Sequence, residues 1–204
     1  MGYGMKIHQL SFTFMAIAGV TAGCSDVSSD TANTLALTKC DYGTPHADAP
    51  PELSQFQFLI GDYSIDAQAW TGDAWTPPRQ VEYPARWNGE YGLDGMAIYD
   101  EWYTVDPAHD PQTQRGVNVR MYDAEAEQWK MMWIASGTLQ TQDLRAEMRD
   151  GKLTMWQVYP ERPNFLAEFE VIDDDHWFRV SYTKDDAGDW VPQYKLTASR
   201  IPCE

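Results

Sequence analysis

Residues 63–69 read Tyr-Ser-Ile-Asp-Ala-Gln-Ala. Tyr63, Ile65, Ala67 and Ala69 fall on one side of an extended chain, with Ser64, Asp66 and Gln68 on the other. This period of two is that of a strand with one buried face. It recurs along the chain. Val81, Tyr83, Ala85 and Trp87 alternate with Glu82, Pro84 and Arg86; Phe165, Ala167, Phe169 and Val171 form a third set, and Tyr194, Leu196 and Ala198 a fourth. Turn signals separate such runs: Asp123–Gln128, the Asp-Gly pair within Arg149–Lys152, Asp173–Asp175 and Asp185–Asp189. Stretches around Trp75–Arg79, Asp106–Pro111 and Tyr159–Pro163 read as longer loops. Pro51–Leu59 alone reads as helical, with Leu53, Phe56 and Leu59 as its apolar stripe. The expected fold is therefore all-β: about nine or ten antiparallel strands joined by hairpins. An up-and-down barrel is the simplest way for so many strands to lose their open edges. A barrel of that size has room for one small ligand.

The chain has 204 residues, 43% hydrophobic and 23% charged, enough for one domain with a real core. Thirty-one acidic against 15 basic side chains give a net charge of −16. Such a surface repels phosphate backbones and argues against nucleic acid as a partner.

The N-terminus predicts export. Lys6 precedes the 11-residue apolar run Leu10–Val20, too short to span a bilayer. Val20-Thr-Ala-Gly-Cys24 resembles a bacterial lipobox, with Thr21 where Leu is usual. That resemblance implies a signal over residues 1–23 and acylation of Cys24. The segment to Pro51, rich in Ser, Asp, Thr, Ala and Pro, reads as a solvated tether over 24–51 ahead of a barrel over 52–204. An ordinary signal peptide with a cysteine nearby is the alternative. Ser25, by similarity to enterobacterial sorting rules, points to the outer membrane, facing the periplasm or the cell surface. The lipid is the only membrane anchor expected. With Cys24 acylated, Cys40 and Cys203 remain as an even pair in an oxidising compartment, which predicts a disulfide across the domain's ends.

Phe56-Gln-Phe-Leu-Ile-Gly-Asp-Tyr63 resembles the opening of lipocalin-like domains, with Tyr63 in place of the family's Trp. The resemblance implies that Arg200, near the end of the last strand, stacks over Tyr63 at the barrel floor. In their order, this opening, Asp100-Glu-Trp102, Arg120-Met-Tyr-Asp123, Trp129 and Trp133 resemble the bacterial lipocalin-like family DUF1579. That family's name implies a fold and no chemistry.

Nine Trp, 11 Tyr and 7 Phe are enough to line an apolar pocket, or simply to fill a barrel core. Candidate ligand-lining residues are Tyr83, Trp87, Tyr99, Trp102, Asn118, Arg120, Trp133 and Trp156. Trp129, beside a turn, is expected at the rim, and Trp70, Trp75 and Trp190 near an open end. An inward Arg120 needs an acidic partner or an anionic ligand, and Asp100 or Glu101 are the nearest candidates. The same three residues are the only catalytic candidates, for an isomerase, cyclase, hydratase or hydrolase. His46, His109 and His176 lie in polar segments without metal-ligand spacing, and no nucleophile elbow or phosphate loop occurs. The leading expectation is a barrel that binds a small, largely apolar molecule without a metal or cofactor. An enzyme in the same cavity, and a filled barrel with an interacting outer face, stay open.

Overall fold

The computed structural model describes residues 40–78, 85–104, 115–136 and 138–203. The chain divides into two units, Met1–Ala32 and Asn33–Glu204, and every described residue belongs to the second. The signal segment, Cys24, most of the tether, Tyr83 and His109 fall outside the described residues.

Ten strands follow one another: β1 (Gly61–Ala69), β2 (Ala85–Gly92), β3 (Ala97–Thr104), β4 (Arg115–Asp123), β5 (Gln128–Ala135), β6 (Gln140–Arg149), β7 (Lys152–Tyr159), β8 (Phe165–Val171), β9 (His176–Lys184) and β10 (Trp190–Arg200). Each pairs antiparallel with its sequence neighbours, and β10 returns to β1, so the sheet closes into an up-and-down barrel with no open edge. This is the all-β barrel that the period of two calls for, and the lipocalin-like one that the resemblance of Phe56–Tyr63 implies. The Asp-Gly hairpin between β6 and β7 has both turn residues at positive φ, as a two-residue turn matched to strand twist requires. Pro192, which has no N–H to give a ladder, sits where the register of β10 against β9 shifts. Among the described residues no helix is long and apolar enough to cross a membrane.

One end of the barrel is plugged. Pro51–Leu59 forms a 3-10 helix, and its buried side chains Leu53, Phe56 and Leu59 recur every third residue, the repeat of that helix. Phe56 packs edge-on against Trp129 at 4.8 Å and Phe169 at 5.5 Å, while Trp177 packs against Tyr63 and Trp87. Trp129 is therefore not a rim residue. It is wholly buried, and its indole N–H donates to Gln55 Oε1 at 2.9 Å from the helix laid over it.

Arg200 completes the floor. Its guanidinium lies 4.8 Å from the Tyr63 ring centre and donates to the Tyr63 hydroxyl and to the Ile60 carbonyl. Gly61, at φ 133°, leaves the space it occupies: a Cβ there would come within 2.2 Å of Arg200 Nη1. The Tyr63 hydroxyl in turn donates to the Phe58 carbonyl at 2.6 Å, and burial pushes its pKa up to about 12, so it remains a neutral donor at working pH.

Below the floor the segment before the helix is strapped to the barrel. Tyr42 donates to Asp62 Oδ2 at 2.8 Å, the Tyr91 N–H bonds to the Tyr42 carbonyl, and Cys40 is bonded to Cys203 across 163 residues of sequence. Replacing both cysteines by Ser is expected to lower unfolding stability by several kcal/mol, with about 5 kcal/mol as the chain-entropy bound. Urea unfolding of the oxidised and double-mutant proteins measures this. Coincident midpoints would show that the bridge constrains nothing.

Candidate ligand-binding site

With the helix filling one end, the inner residues near the opposite ends of the strands are left around an open cavity of about 340 Å³. That lies in the size range of small-molecule sites. Register decides which side chains enter it. Trp87 on β2 pairs with Trp102 on β3, Asn118 on β4 with Trp133 on β5, and Trp133 with Gln142 on β6; all five line the cavity. Leu144, Met155, Gln157, Phe165 and Leu196 continue the wall from β6, β7, β8 and β10. Trp133 has its place because residue 116 is glycine: a Cβ there would lie 1.9 Å from the Trp133 ring.

The deeper layer is a buried ion pair. Arg120 donates from Nε and Nη2 to the two oxygens of Asp100, and from Nη1 to Met131 Sδ at 3.1 Å. Neither side chain has any exposed surface. The Phe56 ring lies 4.5 Å from the guanidinium carbon and the Phe169 ring 5.9 Å from it. Burial raises the Asp100 carboxyl above the ordinary carboxylate range, against the pull of Arg120. Asn118 separates this pair from the cavity. With its amide oriented to satisfy both neighbours, its oxygen accepts from Arg120 Nη2 at 3.0 Å and its nitrogen donates to the Met132 carbonyl at 3.2 Å.

Trp87, Trp102, Asn118 and Trp133 thus share one cavity, and three other sequence candidates lie elsewhere. Arg120 sits inside the barrel but behind Asn118 and does not line the cavity. Tyr99 and Trp156 face outward because they alternate with the inward residues Asp100 and Met155. Tyr99 lies along Gly92, and Trp156 under the Arg149 guanidinium at 4.3 Å. Glu101 also faces outward and pairs with Arg115 at 3.1 Å, so Asp100 alone is the partner of Arg120. His176 bonds Asp173 in a surface turn, and no group of acidic, histidine or cysteine side chains among the described residues can hold a metal.

Two arginines complete the wall, and neither was a sequence candidate. Arg179 on β9 donates from Nη2 to the Tyr194 hydroxyl at 2.9 Å and lies 5.4 Å from that ring's centre. Its place between the inward residues Trp177 and Ser181 was readable from β9 parity. Arg162 comes from the β7–β8 loop, where no periodicity marks it; it stacks on Phe165 at 4.8 Å. Burial acts to raise the Tyr194 hydroxyl, but Arg179, then Ser181 and Arg162, outweigh it and leave the group below the ordinary tyrosine range. At the outer lip Trp70 stacks edge-on against Trp75 at 5.1 Å, and Trp190 is 40% exposed beside Lys184.

No protein-family model matches this chain, and no curated protein does. Among solved structures it is similar to the S-type phycobiliprotein lyase CpeS from Guillardia theta, at 16% identity and a TM-score of 0.47 over 74% of this chain and 93% of that one. It is also similar to a DUF3598-family protein of unknown function from Nostoc punctiforme, at 16% identity and a TM-score of 0.46 over 72% of this chain. The match spans 49%, about half, of that second protein's length. Neither likeness bears on what this cavity holds.

The two carboxylates at the start of the site should separate cleanly on substitution. Asp100→Ala leaves the Arg120 charge buried without a partner and is expected to cost about 3–5 kcal/mol of stability. Glu101→Ala, which breaks a part-exposed pair, is expected to cost under about 1 kcal/mol. Denaturant unfolding of both variants decides, and equal small losses would contradict the buried-pair geometry.

Proposed function

We propose that this protein is an exported, lipid-anchored barrel that binds a small, largely apolar molecule in its mouth cavity. The observation that carries the reading is the cavity itself. About 340 Å³ of space is walled by Trp87, Trp102, Trp133, Phe165, Met155 and Leu196, with a few polar groups set among them. A core needed only for stability has no use for such a space, because empty volume costs contacts. Membership of the DUF1579 lipocalin-like family is supported by the ordered motifs from Phe56 to Trp133. Export, acylation of Cys24 and placement in the outer membrane, facing the periplasm or the surface, are supported by the Leu10–Val20 run, the lipobox-like Val20–Cys24 and Ser25.

The enzymatic alternative has less beneath it. The side chains of Arg120 and Asp100 have no exposed surface from which to meet a substrate, and Glu101 faces outward and is paired with Arg115. The reading as a filled barrel acting through its outer face lacks the solid interior it needs. The Val117, Met121, Met132 and Ile134 surface, although part-exposed, names no partner.

Native mass spectrometry of the full-length gene product, purified from the membranes of its own host, tests the reading in one experiment. The expected spectrum shows a chain that begins at an acylated Cys24 and carries a noncovalent mass released on denaturation. Trp133→Ala, which removes one wall, is expected to lose most of that mass. A clean apo spectrum, with no change in Trp fluorescence on adding the neutral probe N-phenylnaphthylamine, would refute ligand binding. An unmodified cysteine would refute the anchor.

A further inference from the structure

The cavity wall narrows which molecule it takes, given the binding reading above. In a chain with a net charge of −16, the cavity wall contains two arginines and no carboxylate. Four of the other six described arginines, Arg115, Arg120, Arg149 and Arg200, pair with an acid: Glu101, Asp100, Glu147 and Asp175. Among the described residues no carboxylate pairs with Arg179 or Arg162; their partners are the Tyr194 hydroxyl and aromatic rings. Asp100 lies close enough for Arg179 to act on it, but both its oxygens are already taken by Arg120.

A second observation is independent of charge. Trp87 Nε1, Trp102 Nε1 and Arg179 Nε are buried donors with no acceptor among the described residues, and all three belong to side chains that line this cavity. Trp87 is only 2% exposed, and it lies directly across the strand pair from Trp102. Buried donors are rarely left without acceptors, and three of them on the wall of one cavity require an explanation. An apolar molecule with no acceptor would leave every one of them unmet.

We propose that the ligand is a small apolar acid whose anionic group, of the carboxylate class, is held by Arg179 together with the indole N–H groups of Trp87 and Trp102. Arg162, exposed in its loop beside the mouth, adds positive charge on the way in. The apolar body lies against Trp133, Phe165 and Leu196. Charge-assisted bonds from a fixed guanidinium are the stronger kind, and they weaken steeply when the acceptor loses its charge. The lowered Tyr194 hydroxyl is a sign of the same positive potential at the mouth.

Two fluorescent probes with one skeleton test this: anilinonaphthalene sulfonate, which carries an anionic group, and the neutral N-phenylnaphthylamine. The full-length protein, purified in detergent, is titrated with each. The sulfonate is expected to bind at least about tenfold tighter, the ratio that one charge-assisted hydrogen bond brings. Arg179→Met is expected to collapse that ratio to near one, and Trp87→Phe to reduce it. Circular dichroism checks that each variant folds, and Arg179→Gln, which keeps hydrogen bonding without charge, replaces Arg179→Met if that variant does not. Equal affinities in the unaltered protein, or a ratio that survives both the Arg179 and Trp87 changes, would overturn the acid proposal while leaving the cavity as a binding site. Failure of both probes to bind would instead refute the binding reading on which it rests.

Discussion

Arg120 carries a permanent charge on a side chain with no exposed surface, and everything near the floor is arranged around that fact. Removing a guanidinium from water is costly unless every direction offers a substitute. Asp100 supplies two oxygens, Met131 a sulfur, Asn118 an amide oxygen, and Phe56 and Phe169 their ring faces. These groups come from β3, β4, β5, β8 and the helix over Pro51–Leu59, so satisfying one charge ties five elements together. The helix cannot move off the barrel end without uncovering the pair. Phe56, on that helix, also packs against Trp129, so the polar and aromatic parts of the floor are locked by the same residue.

A barrel filled from one end has its free volume at the other. The helix, Leu53, Phe56 and Leu59 occupy the floor, and Asn118 marks the level at which the filling stops. Above it the inner side chains are still large, but they line the wall instead of meeting at the axis. Gly116 leaves the room that the Trp133 ring takes up. The cavity is thus what remains once the ion pair and its cover have been built, and its polarity follows from what the wall keeps unpaired. The acidity of the chain lies elsewhere, in surface turns such as Asp173–Asp175 and Asp185–Asp189.

Where one face of a strand is buried and the other wet, alternation is plain in the sequence. Hence the inward positions Tyr63 and Ile65 of β1, Ala167 and Phe169 of β8 and Ala198 of β10 were legible, as was the three-residue repeat of Leu53, Phe56 and Leu59. Ala67, Ala69, Val171 and Tyr194, on the same parities, are instead exposed towards the strand ends. β3 and β4 were not. Their inner faces carry Asp100, Asn118 and Arg120, while Tyr99, Val117 and Met121 stand outside, so neither parity looks like a core. The same mixing made Glu101 indistinguishable from Asp100 as a partner for Arg120. Trp129 was misplaced because a turn beside it suggests a rim, whereas the helix that covers it lies more than 70 residues earlier in the chain. Tyr99 and Trp156 are aromatic for outward packing, against Gly92 and Arg149, and composition cannot tell that from lining a cavity. Arg162 sits in a loop, where no period constrains it.

The most direct measurement of the central claim, that the open end of this barrel is the binding site and the helix end is sealed structure, is the tryptophan indole ¹⁵N–¹H spectrum during titration with an apolar probe. The account predicts that the Trp87, Trp102 and Trp133 resonances shift together and saturate with one probe per chain. Trp129, bonded to Gln55 beneath the helix, should stay where it is. Shifts confined to Trp129 or to the outward Trp156, or no saturable shift at all, would contradict it.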